Sequence, residues 1–112
     1  MSFYYIYMGY VYLIKDNYNN VYKIGVTKNL NKRIKSLQTG NVCELKLIYS
    51  FKTDYPYRLE TMLHNSLKQY REYNEWFNLP IEVVNDFEKI CNNTHNIILA
   101  LLDNPFFNKN LK

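Results

Sequence analysis

Tyr10-Val11-Tyr12-Leu13-Ile14-Lys15, then Asp16-Asn17-Tyr18-Asn19-Asn20, then Val21-Tyr22-Lys23-Ile24-Gly25-Val26 is the stretch that decides the fold. The two outer runs are β-branched, aromatic or aliphatic and suit a pleated, half-buried surface; the polar run between them is turn-forming. They read as a β-hairpin. Alternation puts Tyr10, Tyr12 and Ile14 on one face of the first strand. In the second strand Lys23 and Gly25 share a face, with Tyr22, Ile24 and Val26 opposite. How the faces of the two strands pair is open at this point. Phe3 to Met8 either extends the first strand or covers another element.

Beyond the hairpin, Thr27 or Asn29 can cap a helix whose apolar positions Leu30, Ile34 and Leu37 recur at helical spacing, with Gly40 closing it as a left-handed cap. Arg33 falls about 60° from Leu30 and about 40° from Leu37, on the rim of the apolar stripe, while Lys32 and Lys35 point outward. Glu44 to Lys52 is a further strand. Pro56 opens a second helix with apolar face Leu59, Met62, Leu63, Leu67 and Tyr70. Glu60 lies at the margin of that face, roughly 80° from its centre, and His64 one turn on. Glu75 to Leu79 reads as a short edge strand, and Pro80 starts a third helix through about Asn92. Ile97 to Leu102 adds a helical piece, and Asn104 to Lys112 reads as an irregular tail.

No repeat or linker interrupts the 112 residues, so one domain is expected, with a core over 10–80 and a C-terminal helical extension over 81–112. The 47% hydrophobic content is enough for one compact core. The net charge of +4 is mildly basic, and its distribution is more telling. Lys15, Lys23, Lys28, Lys32, Arg33, Lys35 and Lys46 are opposed only by Asp16 and Glu44, whereas Glu72, Glu75, Glu82, Asp86, Glu88 and Asp103 gather in the C-terminal part. One half is suited to an anionic partner. Cys43 and Cys91 lie in no C-x-x-C pattern, so reduced, buried thiols are expected rather than a disulfide framework or a zinc knuckle. The apolar start lacks the marks of a signal peptide, and Ile97 to Leu102 is too short to cross a bilayer. A soluble, intracellular protein with no membrane partner is the expectation.

Taken in order, Tyr10-Val11-Tyr12, Tyr22-Lys23-Ile24-Gly25, Asn29-Leu30 and Arg33 resemble the GIY-YIG nuclease superfamily. The Tyr-Lys-Ile-Gly form, Leu59-Glu60-x-x-Leu63-His64 and the closing Glu75-Trp76-Phe77 look most like its T5orf172 branch, found in phages, bacteria and large DNA viruses. The resemblance covers about residues 10 to 80. It implies an α+β (α/β) domain with a small three-stranded antiparallel sheet flanked by helices. It also implies cleavage of a DNA phosphodiester dependent on Mg²⁺ or Mn²⁺. Carried over residue by residue, Tyr12 matches the first-motif tyrosine, Arg33 the helix arginine, and Glu60 the glutamate that holds a single divalent cation. Lys23 stands at the second-motif tyrosine, and Leu37 where many members carry a histidine.

The residue types suit that chemistry. Glu60 offers a hard oxygen ligand, and Mg²⁺ takes only one or two carboxylates while keeping waters. Arg33 is permanently charged and can fork onto two phosphate oxygens. Tyr12 acts as a base only if neighbouring positive charge, from Lys23 and Arg33, lowers its proton affinity. His64 is suited to relaying a proton or ordering a water. Lys28, Lys32 and Lys35 track a DNA backbone. Against each role stands a plainer one: Tyr12 as a half-buried strand tyrosine, Arg33 and Glu60 as a salt link between helices, the lysines as a solvated face. Two other functions are consistent with the chain, a DNA-binding module without catalysis and a protein-interaction domain. A domain this small has little area for reading a long site, so low sequence specificity or homo-oligomerisation is expected.

Overall fold

The computed structural model describes residues 8–104. The expectations for Phe3 to Tyr7 and for the tail beyond residue 104 therefore lie outside the described residues. The hairpin forms as read, with strand β1 at Gly9–Asp16 and β2 at Val21–Thr27. Tyr12 stands opposite Gly25 and Ile14 opposite Lys23. Directly opposed residues share a face, so Tyr12, Ile14, Lys23 and Gly25 line one side of the sheet and Val11, Leu13, Ile24 and Val26 the other.

The turn is held by one carboxylate. Asp16 Oδ1 accepts from the backbone N–H of Tyr18 at 3.0 Å and of Asn19 at 3.1 Å, and Oδ2 accepts from Asn19 Nδ2 at 2.8 Å. Asn20 takes the left-handed conformation, φ 57°, that asparagine tolerates better than most residues. Burial alone pushes the Asp16 carboxyl up, but the hydrogen bonds from Asn19 and Tyr18 outweigh it and hold it below its ordinary value of 3.8. Its stabilisation is therefore complete above that ordinary value and is lost as pH falls through the lower, folded-state value. Asp16→Ala is expected to cost about 1–2 kcal/mol in urea unfolding at neutral pH. The gap between variant and native protein should shrink on titration below pH 3.8.

Strand β3, Leu45–Thr53, adds to the free side of β1. On the other side the sheet exceeds the expected three strands: its order is β3-β1-β2-β5-β4, all antiparallel, with β4 at Arg71–Tyr73 and β5 at Trp76–Phe77. The segment Glu75 to Leu79, expected at the edge, is interior, and Arg71–Tyr73 forms the edge instead. Every residue of β4 is exposed, so it carries no apolar alternation by which it could be recognised. It pairs because Asn74, at φ 49°, allows a two-residue turn into β5.

Helix α1, Leu30–Thr39, lies on the Tyr12 face, where Leu30, Ile34 and Leu37 pack with Trp76 against Tyr12, Ile14 and Leu45. Asn29 is its cap, accepting from Lys32 N at 3.1 Å. Gly40 has φ −86°, so the left-handed cap expected there does not form. Helices α2, Pro56–Ser66, and α4, Phe87–Leu102, cover the opposite face. There Leu59, Leu63, Phe87, Cys91 and Ile98 bury Val11, Leu13 and Ile24. Helix α2 stops before Leu67 and is followed by a 3₁₀ turn, Lys68–Tyr70, rather than running on to Tyr70. The third expected helix is interrupted at Asp86: α3 covers Ile81–Asn85, and α4 then absorbs Ile97 to Leu102.

Both cysteines are free; Cys91 is buried, Cys43 only half-buried. Burial, with the nearby Glu88 charge, pushes the Cys91 thiol up to about 12, which makes it inert at neutral pH. No helix among the described residues is long and apolar enough to cross a membrane.

Candidate active site

The centre of the site is the far half of β2. On β2, strand β5 pairs only with Tyr22 and Lys23, so Gly25 to Thr27 lie beyond its end. Tyr12 lies across Gly25 from β1. A Cβ on Gly25 would stand 2.6 Å from Tyr12 Cζ and closer still to its hydroxyl, so the glycine is what makes room for the phenol. Arg33 Nε donates to that hydroxyl at 3.4 Å from α1. Tyr12 is 1% exposed, so its hydroxyl is shielded from solvent with Arg33 Nε as its hydrogen-bond donor. Among the described residues the Arg33 guanidinium has no ion pair, and the Arg33–Glu60 link between helices does not form: α1 and α2 sit on opposite faces.

Lys23, two residues before Gly25 on the same face, is buried with its ammonium 2.6 Å from Glu75 Oε1 and 5.7 Å above the Trp76 ring centroid. A lysine set into an apolar strand requires a compensating charge, and that requirement was the available signal for Glu75. The 52 positions between the two hide in the sequence which acid supplies it.

From the other face, His64 reaches the same edge. Its Nε2 lies 2.9 Å from the Ile24 carbonyl oxygen. A carbonyl only accepts, so Nε2 carries the hydrogen and Nδ1 is the nitrogen left for proton traffic. Phe77 holds the ring edge-to-face at 5.0 Å. One turn earlier, Glu60 Oε2 is 3.9 Å from His64 Nε2. The Glu60 side chain is only 16% exposed, and among the described residues no group donates a hydrogen bond to it. Burial and then the Glu75 charge hold its carboxyl above the ordinary glutamate value, with His64 and Lys23 pulling the other way.

These groups meet in a polar cleft of about 680 Å³ between α2 and the β4–β5 hairpin. Of the residues expected at the site, Lys23, Glu60 and His64 line it. Tyr12 and Arg33 stand outside its lining, next to it along β2 through Gly25. Arg71, Asn65 and Asn74 join the lining without having been singled out in the sequence. Lys28, Lys32 and Lys35 are exposed on and just before α1, away from the cleft.

The T5orf172 domain profile matches residues 9–92, which takes in all five strands and every residue of the cleft. Two proteins of Invertebrate iridescent virus 6 are similar to this chain. "Uncharacterized protein 460R" is 32% identical over 82 residues, covering 69% of this chain and 37% of that protein. "Putative KilA-N domain-containing protein 315L" is 30% identical over 84 residues, covering 70% of this chain and 36% of that protein. The chain thus spans little more than a third of the length of these relatives. No solved structure matches it. With the match covering 9–92 of its 112 residues, the chain belongs to the T5orf172 domain family.

Proposed function

We propose that the domain is a DNA endonuclease of the GIY-YIG kind, hydrolysing a phosphodiester with the help of one divalent cation. The observation that carries this reading is Glu60: a largely buried carboxylate in a polar cleft, with no hydrogen-bond donor among the described residues and a second carboxylate nearby. Among the described residues no three His, Cys, Asp or Glu side chains gather, so an all-protein cage is not what the chain offers. A single carboxylate in an open polar cleft is the donor set that suits Mg²⁺ or Mn²⁺. When bound, such a cation supplies positive charge against phosphate oxygens and eases deprotonation of a water.

The remaining steps fall to the chain. Arg33, which has no ion pair among the described residues, forks onto the phosphate and takes up charge as it develops. Tyr12, fixed by Gly25 and bonded to Arg33 Nε, serves as the base in its phenolate form, its own proton having first passed to solvent, and takes one proton from the attacking water. Lys23 keeps ammonium donors beyond the one given to Glu75 and directs them at the same phosphate. His64 orients the edge of β2 through Ile24 and leaves Nδ1 for proton transfer. Lys28, just before α1, and Lys32 and Lys35 on it hold the DNA backbone.

The expected result in a plasmid-nicking assay is conversion of supercoiled DNA to open circle with Mn²⁺ or Mg²⁺ and none with chelator. Arg33→Ala should lower the rate about 10²-fold or more. Unchanged nicking in both Arg33→Ala and Glu60→Gln would sink the assignment. A second reading, a DNA-binding module that does not cut, draws on two observations: Tyr12 is 1% exposed, and Lys23 is tied to Glu75 at 2.6 Å. It predicts salt-sensitive binding with no turnover in Mg²⁺, Mn²⁺ or Ca²⁺.

A further inference from the structure

The cleft has a chemistry that the proposed hydrolysis leaves unused. Its lining carries two cations, Lys23 and Arg71, against two carboxylates, Glu60 and Glu75. Lys23 and Glu75 largely satisfy each other. A run of phosphates laid along such a groove would meet carboxylates as often as cations, so the groove does not suit a polyanionic backbone. The exposed cations for that purpose lie on α1, at Lys32 and Lys35.

What the groove does hold is specific. Among the described residues the Arg71 guanidinium and the Asn65 and Asn74 carboxamides carry no hydrogen bond or ion pair, and all three are exposed on the cleft. Asn65 stands on α2 and Asn74 on the hairpin turn, so the amides approach the cleft from its two walls. Each offers a donor and an acceptor side by side, the pattern that reads the edge of a nucleobase. Half-buried Trp76 adds an indole to the same lining. One guanidinium, two carboxamides and an indole around about 680 Å³ match one phosphate and one flat, uncharged, hydrogen-bonding ring.

We infer that the cleft between α2 and the β4–β5 hairpin takes a single unpaired nucleotide, its phosphate on Arg71 and its base between Asn65 and Asn74. The inference rests on the nuclease or DNA-binding reading above and specifies its substrate: DNA with an unpaired or displaced nucleotide beside a duplex. A paired base cannot enter, because its hydrogen-bonding edge is already used and stacking holds it in the helix. The duplex lies along α1 while the unpaired nucleotide enters the cleft, which sets the cut next to the unpaired position.

The test compares, by fluorescence anisotropy, a short duplex with the same duplex carrying one unpaired nucleotide. Native protein should bind the second about tenfold more tightly. Asn65→Ala combined with Asn74→Gly should erase the preference while leaving duplex affinity unchanged; glycine suits the φ of 49° at position 74, and Asn65 is exposed, so the fold is kept. Arg71→Ala should reduce the preference in the same direction. Native protein binding both substrates equally overturns the inference and leaves the nuclease reading intact, as does a preference that survives in the double variant. Native protein binding neither DNA overturns that reading and the inference with it.

Discussion

Gly25→Ala is expected to lower stability by about 1–3 kcal/mol, the usual cost of overpacking, and to reduce nicking at the same time. The cause is one atom. The added Cβ would meet the Tyr12 ring at 2.6 Å from Cζ and its hydroxyl closer still. Tyr12 is 1% exposed and packed with Ile14, Leu45 and the apolar side of α1, so the ring has nowhere to swing. The φ of Gly25 is not positive, so backbone strain plays no part, and the effect should be relieved by trimming the ring. Tyr12→Phe in the Gly25→Ala background should recover part of the stability, since it removes the nearest atom. Thermal unfolding of the two single variants and the double variant gives the coupling, and strict additivity would show that the contact is not the cause. Moving the ring also breaks the Arg33–Tyr12 bond, so Gly25→Ala should lose turnover even below its melting temperature.

Glu60→Gln separates function from stability. It keeps the shape of the side chain and removes the charge, so nicking should fall about 10²-fold or more if the carboxylate holds the cation. Stability should move the other way. The Glu60 carboxyl is raised by burial and by Glu75 above the ordinary value of 4.5, so the folded chain holds that proton more tightly than the unfolded one. Ionising Glu60 therefore costs stability. The cost is absent below pH 4.5, where both states are protonated, and complete above the folded-state value. The glutamine variant should match native protein in acid and be the more stable of the two at neutral pH. Mn²⁺ should raise the melting temperature of native protein and leave that of Glu60→Gln unmoved. A cation-induced shift of equal size in both would place the ion elsewhere.

The parts legible in the sequence are those written over short distances. The hairpin, the helix starting at Leu30, the Pro56 helix start and the apolar faces of α1 and α2 are local patterns, set by alternation, helical spacing and capping chemistry. Arg33 on the rim of its stripe was readable for the same reason. The errors came where a segment takes its conformation from a partner. Strand β4 has no buried residue and pairs only with β5, so no pattern in its residues announces it, and the three-stranded sheet that the resemblance implies gives way to one of five. The break at Asp86 divides a segment of continuous helical pattern into α3 and α4.

The site divides along the same line. Residue types and their order along the chain, through the resemblance to the GIY-YIG nucleases that they carry, named Tyr12, Lys23, Arg33, Glu60 and His64 one by one. Only the folded chain sets Glu75 against Lys23, 52 positions distant. It likewise ties His64 to the Ile24 carbonyl and brings Asn65, Arg71 and Asn74 around one cleft. The physical reason is that local pattern governs which face a side chain takes. Which charges neutralise one another, and which remain open to a ligand, depends on distances through space that sheet pairing and packing establish together.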